Sequence, residues 1–144
     1  MDVRIESARG DDLPAILSLL DQHRLPHAAI ERYVGDTLVA RAGDRVIGCA
    51  ALERYDAAGL LRSVAVAPER RGTGLGTRLT AAALEYARAH GIRTVYLLTE
   101  TAADFFPRFG FHAVARADVA PAVRQSVEFT SACPDTALAM VTEL

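Results

Sequence analysis

Val64-Ala-Val-Ala-Pro-Glu-Arg-Arg-Gly-Thr-Gly-Leu-Gly-Thr77 decides the fold of this chain. Its apolar run ends at Pro68, which cannot continue a strand ladder, and helical spacing starts at Leu79. The stretch therefore reads as strand, glycine turn and helix. Gly72, Gly74 and Gly76 alternate with other residues inside the turn. Glycines there let the backbone come close to a ligand, and the free N–H groups of the following helix start aim partial positive charge at an anion. Arg70 and Arg71 add full charges at the same place, so the turn reads as a phosphate cradle. A dinucleotide loop would need Gly-x-Gly-x-x-Gly near the first strand, and an ATP loop would need Gly-Lys-Ser or Gly-Lys-Thr. Neither is present: the spacing is Gly-x-Gly-x-Gly in mid-chain, with no lysine in the region.

Upstream of the cradle, Val3 to Ser7 alternates like a short strand, and Asp11 or Asp12 can cap a helix carrying Pro14 and the apolar face Leu13, Ile16, Leu17 and Leu20. Arg24 to His27 interrupts it, and Ala28 to Val34 predicts a second short helix. Thr37 to Ala42 and Arg45 to Tyr55 predict a hairpin closed by Gly43-Asp44, and after Asp56 to Gly59 a strand from Leu60 to Ala67 enters the cradle. Downstream, Leu75, Leu79, Ala82, Ala83 and Tyr86 keep helical spacing to His90-Gly91. Then come a strand at Thr94 to Leu98, an aromatic helix at Ala102 to Phe109, a strand at Phe111 to Ala115, a helix from Pro121 to about Phe129, and a final strand at Ala137 to Val141. This order predicts a mixed α/β domain, residues 1–144, with helices on both faces of one sheet.

A chain of 144 residues, half of them apolar, is one ordinary domain with a real core. Its net charge of −2 offers no basic field for nucleic acid. Two distant cysteines, Cys49 and Cys133, fit neither a zinc site nor a disulfide framework. The charged N-terminus lacks the apolar core of a signal peptide, and no apolar run reaches bilayer length, so a cytoplasmic protein without membrane or nucleic-acid partners and without a metal is expected.

Two motifs then meet in one chain: Arg71-Gly-Thr-Gly74-Leu-Gly76 directly after the strand, and Phe105-Phe-Pro-Arg-Phe-Gly110-Phe111 further on. Over nearly its whole length the sequence resembles the GNAT superfamily of acetyl-CoA-dependent N-acetyltransferases, which implies a mostly antiparallel mixed sheet and acetyl-CoA as co-substrate. The resemblance implies that the backbone of Arg71, Gly72, Thr73, Gly74, Leu75, Gly76 and Thr77 holds the CoA pyrophosphate. It further implies that Val64, Ala65 and Val66 run beside the pantetheine arm, and that Phe105 and Phe106 belong to the cofactor wall. Many relatives carry a tyrosine at the position of Phe106 to protonate the leaving thiolate; phenylalanine has no proton to give. Thr99 matches a hydroxyl position used by some amino-acid acetyltransferases and, with Thr101, is the candidate for that role. The alternative is that these hydroxyls cap the following helix.

The acceptor amine is protonated at neutral pH and needs a base before it can attack. Some glutamate-acetylating relatives place a glutamate where this chain has Leu60, so Glu53, acting through water, is the candidate here, against a solvated strand-end charge. Arg62 interrupts the apolar run Leu60-Leu-Arg-Ser63-Val-Ala-Val. A buried guanidinium needs an anion, either a substrate carboxylate in the pocket or an internal salt bridge. Arg124 and Glu128, one helical turn apart, either bind substrate or pair with each other. His27 stands in the helix connection that walls the acceptor pocket of the superfamily, or simply at the surface. The segments Leu97 to Phe111, Ala115 to Arg124 and Glu128-Phe129 with Cys133-Pro134 resemble the arsenic-resistance N-acetyltransferases, some of which acetylate arsinothricin, and also short relatives of N-acetylglutamate synthase. Both imply an acidic amino acid as small-molecule acceptor. A catalytically silent GNAT-like binding module and a protein or peptide N-acetyltransferase remain the alternatives. The resemblance also leaves open a homodimer with an exchanged final strand.

Overall fold

The computed structural model describes residues 2–132 and 136–144, so Cys133 and Pro134 lie outside the described residues. Seven strands form one sheet in the order β1-β2-β3-β4-β5-β7-β6. They are β1 (Val3–Ser7), β2 (Thr37–Ala42), β3 (Arg45–Tyr55), β4 (Ala58–Val66), β5 (Thr94–Thr99), β6 (His112–Ala113) and β7 (Leu138–Glu143). Every neighbouring pair is antiparallel except β4 with β5. The helices are α1 (Leu13–Gln22), α2 (Leu75–Ala89) and the single turn α3 (Pro121–Arg124).

Strand alternation places the helices on two faces. A Cβ on Gly48 of β3 would stand 2.7 Å from Leu79 of α2, so α2 lies against that face with almost no space between. The opposite face carries Leu60, Tyr96, Ala139 and Val141, which pack with Val119 and Val123 around α3 in a second, smaller cluster. Glu53 and Arg62, also of opposite parity to the α2 face, belong to this side.

Four of the predicted elements differ. The second short helix is a 3-10 helix, Ile30–Asp36, entered through Ala29 at a left-handed φ of 61°. The aromatic helix shrinks to the 3-10 turn Phe106–Phe109, with Pro107 in its first turn and Gly110 at φ 90° after it. The strand expected at Phe111 to Ala115 is reduced to β6, an edge strand of two residues. The helix expected from Pro121 to Phe129 breaks after Arg124 and resumes as a π-helical turn, Glu128–Ala132. Ser126 supplies the physical reason: its hydroxyl accepts the Glu128 N–H at 3.1 Å, giving the backbone a partner outside the helical ladder.

Candidate active site

β4 carries the site. Cys49 pairs with Ala65 and Ala51 pairs with Arg62, so β4 spends one more residue than β3 over this interval. The extra residue forms a bulge at Ser63, which adopts a φ of 59°, a costly conformation for a non-glycine residue. The Cys49 thiol donates to the Ser63 carbonyl at 3.2 Å, and Arg62 Nε donates to its hydroxyl at 3.2 Å. Burial pushes the Cys49 thiol up to about 12, so it stays protonated and packs as a small apolar group.

The parallel ladder between β4 and β5 covers only Ala58–Thr94, Gly59–Val95 and Leu60–Tyr96. Beyond it β4 continues to Val66 while β5 pairs on its other side with β7, as far as Thr99 opposite Leu138. An open edge is left along the end of β4. The Ala67 N–H donates to Ile47 at 2.8 Å, so by antiparallel alternation the polar groups of Val66 and Val64 face away from β3 and toward that edge. His23, just past α1, donates from Nε2 to the Val66 carbonyl at 2.6 Å.

Where β4 ends, a cleft of about 400 Å³ opens, lined by Val66, Phe105, Arg108 and loop residues between Arg70 and Thr77. The loop bends at Gly72 and Gly74, with φ of 78° and 83°. No atom stands within 4 Å of a Cβ at either position, so backbone conformation and not crowding calls for glycine. Gly74 caps α2 without a side chain, and the first turn holds no acidic residue. The N–H groups of Leu75, Gly76 and Thr77 therefore point outward without helical partners. The cleft lining has three guanidinium groups, Arg70, Arg71 and Arg108, and no carboxylate. Thr73 folds back instead, its hydroxyl donating to the Arg70 carbonyl at 2.5 Å. Ala65 and Phe106 are core residues, Phe106 packed edge-on against Phe111.

On the sheet face opposite α2, Arg62 and Glu53 are both fully buried and paired at 2.9 Å. Arg62 Nη2 donates to the Pro26 carbonyl at 3.4 Å and stands 3.8 Å from Glu128, and its guanidinium lies 5.8 Å from the centre of the Tyr33 ring. Glu53 also accepts the Tyr55 hydroxyl. Burial, first of all, and the Glu53 carboxylate beside it raise the Tyr55 pKa. Arg62 is thus held by an internal salt bridge, which corrects the expectation of a free carboxylate anchor: its charge is already met by Glu53. Glu53 likewise is no solvated strand-end charge.

The other sequence candidates fall in different places. Thr99 Oγ1 accepts the Ala102 N–H at 2.9 Å, the capping arrangement, which still leaves its hydroxyl proton to donate. Thr99 and Ser63 both lie three residues beyond the Leu60–Tyr96 pair that ends the ladder, on the two strands that part there. Thr101 is exposed. Glu128 is buried near Arg62, and Arg124 is exposed on α3. His27 Nε2 lies 2.8 Å from Asp21 at the surface. Reading by motif passed over Tyr33, Tyr55 and Arg108. Tyr55 had a signal, since residues two apart on a strand share a face with Glu53; Tyr33 had none.

The family model for the GNAT acetyltransferase domain matches residues 34–113. The amino-acid acetyltransferase of Mycobacterium tuberculosis is 35% identical over 118 residues, covering 74% of this chain and 67% of that protein. The amino-acid acetyltransferase of Neisseria meningitidis serogroup A is 29% identical over 132 residues, 85% of this chain. The chain spans only 30% of that longer relative. Among solved structures, a Mycobacterium tuberculosis protein in complex with CoA superposes with a TM-score of 0.83 at 27% identity, covering 98% of this chain and 99% of its own. N-acetylglutamate synthase from Neisseria gonorrhoeae, complexed with coenzyme A and N-acetyl-glutamate, shares the fold, with a TM-score of 0.86 at 24% identity over 100% of this chain and 35% of that one. Since the matched region includes the bulged strand, the glycine loop and the aromatic turn, the chain belongs to the GNAT acetyltransferase family.

Proposed function

We propose that this chain transfers the acetyl group of acetyl-CoA to the α-amine of a small amino acid. The observation that carries the reading is the uncapped first turn of α2, flanked by arginines and free of acidic residues, opening onto the unpaired edge of β4. An extended chain carrying a pyrophosphate matches that surface: the loop amides and Arg71 meet the phosphates, and the polar groups of Val64 and the N–H of Val66 meet the amides of the arm. The thioester then lies by Ser63 and Thr99, where the two strands part.

The reaction joins the amine nitrogen to the acetyl carbon and breaks the carbon–sulfur bond; one proton leaves the amine and one reaches the thiolate. In this reading the Thr99 hydroxyl, its oxygen steadied by the Ala102 N–H, donates a hydrogen bond to the leaving thiolate, and the proton itself comes from water. Glu53 takes the amine proton through water, oriented by Arg62 and Tyr55. The acceptor we favour is an acidic amino acid or a glutamate-like analogue, arsinothricin among them. The M. tuberculosis and N. meningitidis relatives carry the name amino-acid acetyltransferase, which supports an amino-acid acceptor. With Arg62 neutralised, the acceptor carboxylate falls to Arg124, exposed and without a carboxylate partner among the described residues.

Calorimetry with acetyl-CoA and a thiol-release assay over glutamate, glutamine, phosphinothricin-like analogues, arsinothricin and a lysine peptide test this. Binding lost in the Arg71→Glu/Gly74→Asp double variant, with thiol release driven by acidic amino acids, is the expected result. Binding without turnover of any acceptor identifies a silent module, and turnover only of the peptide identifies a protein acetyltransferase. Failure of the wild-type protein to bind acetyl-CoA removes the enzyme class.

A further inference from the structure

Arg108 lies on the 3-10 turn Phe106–Phe109 and lines the same cleft as the glycine loop. Its Nε donates to the Phe105 carbonyl at 2.8 Å, and its guanidinium lies over the Phe105 ring, 4.6 Å from the centroid. The ring in turn rests on α2: a Cβ built on Gly76 would meet Phe105 Cζ at 3.7 Å. Gly76, Phe105 and Arg108 thus form a stack that fixes one guanidinium at the cleft wall. Its two terminal nitrogens have no hydrogen-bond partner among the described residues. A planar fork held from behind by a ring and a carbonyl is well suited to a tetrahedral oxyanion, because little side-chain freedom is left to lose.

We propose that Arg108 is a second phosphate anchor, distinct from the glycine loop, that reads the ribose 3′-phosphate of CoA. The inference rests on the reading of the cleft as a CoA site. Charge matching separates the two anchors. The two charges of the pyrophosphate are met by the α2 amides with Arg70 and Arg71, all of the loop and the helix start that follows it. The nucleotide carries in addition a phosphomonoester with a charge of about −1.5 to −2 at neutral pH, and Arg108, held on the Phe105 ring and not on the loop, is the remaining cation of the lining. Arg108 therefore discriminates CoA from its 3′-dephospho form, while Arg71 serves both equally.

The test is titration calorimetry with CoA and 3′-dephospho-CoA on the wild-type protein and on Arg108→Met, Arg108→Gln and Arg71→Met. The wild-type protein should prefer CoA by about tenfold, the size of one charge-assisted hydrogen-bond pair. Arg108→Met should reduce the preference to near unity by weakening CoA alone, and Arg71→Met should weaken both nucleotides by one factor. Arg108→Gln keeps a neutral donor and, should the methionine variant not fold, must show the same fall in preference. An unchanged ratio in a folded Arg108 variant, or equal weakening of both nucleotides, overturns the assignment while leaving the CoA site intact. If neither nucleotide binds the wild-type protein, the CoA reading and the anchor fall together.

Discussion

Asp12 stands at the start of α1, where a capping carboxylate is expected, but its main partner is distant in sequence. It accepts the Arg9 N–H at 2.8 Å and takes both terminal nitrogens of Arg41, at 3.0 and 2.9 Å, while both side chains are nearly buried. The Arg41 hydrogen bonds, followed by that backbone N–H, hold the Asp12 carboxyl below its usual range despite burial. A carboxylate whose folded pKa is depressed adds stability that is fully present above its unfolded pKa and lost as pH falls through the folded value. Asp12→Asn should therefore cost about 3 kcal/mol at pH 7, the scale of breaking a buried pair. The penalty should shrink below about pH 4, where the unfolded-state carboxyl protonates. Urea unfolding at pH 7, 5 and 3 reads this; an equal penalty at pH 3 would show that the ion pair is not its source. Glu53 and Arg62 teach the same lesson. The sequence shows that a guanidinium in an apolar strand needs an anion, but only strand pairing brings Glu53 to it.

The elements that build the site depend on small residues at the contact. β3 offers Gly48, Cys49, Ala50 and Ala51 to the helices, all buried, and Gly48 admits Leu79 of α2 to a distance that no Cβ would tolerate. Gly48→Ala should cost about 1 to 3 kcal/mol by overpacking. Because α2 carries the glycine loop on its first turn, the same change should weaken CoA binding. A melting curve with a parallel titration checks both, and a stable variant with wild-type affinity would show that α2 yields without moving the loop. At this scale the sequence was legible wherever periodicity was long: β1, β2 and β3 match their expected ranges, and α2 stops at the expected His90-Gly91, though it begins at Leu75, one turn before Leu79. It misled where segments were short and ended on tertiary contacts. The helix expected from Pro121 broke after Arg124, where the Ser126 hydroxyl served the backbone better than the helix did, and β6 is as long as its pairing with Met140 and Val141 allows.

Across the whole molecule, charge is distributed against its mean. The chain carries a net charge of −2, yet the cleft lining holds three guanidinium groups and no acid. The arginines concerned lie at the surface, where salt screens them over about 10 Å at 0.1 M and about 3 Å at 1 M. The affinity for CoA should therefore fall several-fold between about 0.1 and 1 M NaCl, measured by calorimetry in the same buffer; a constant affinity would place the binding energy in the pantetheine arm and not in the phosphates. No helix among the described residues is long and apolar enough to cross a membrane. By itself the sequence determined the strand, glycine loop and helix that define the family, because glycine conformation, proline and apolar period are local properties of the chain. The tertiary structure alone decided which charges are spent and which remain. Pairing in space neutralised Arg62 with Glu53 and brought Arg108 to the cleft from a turn more than thirty residues beyond the loop, since such pairings depend on register and packing that no single segment encodes.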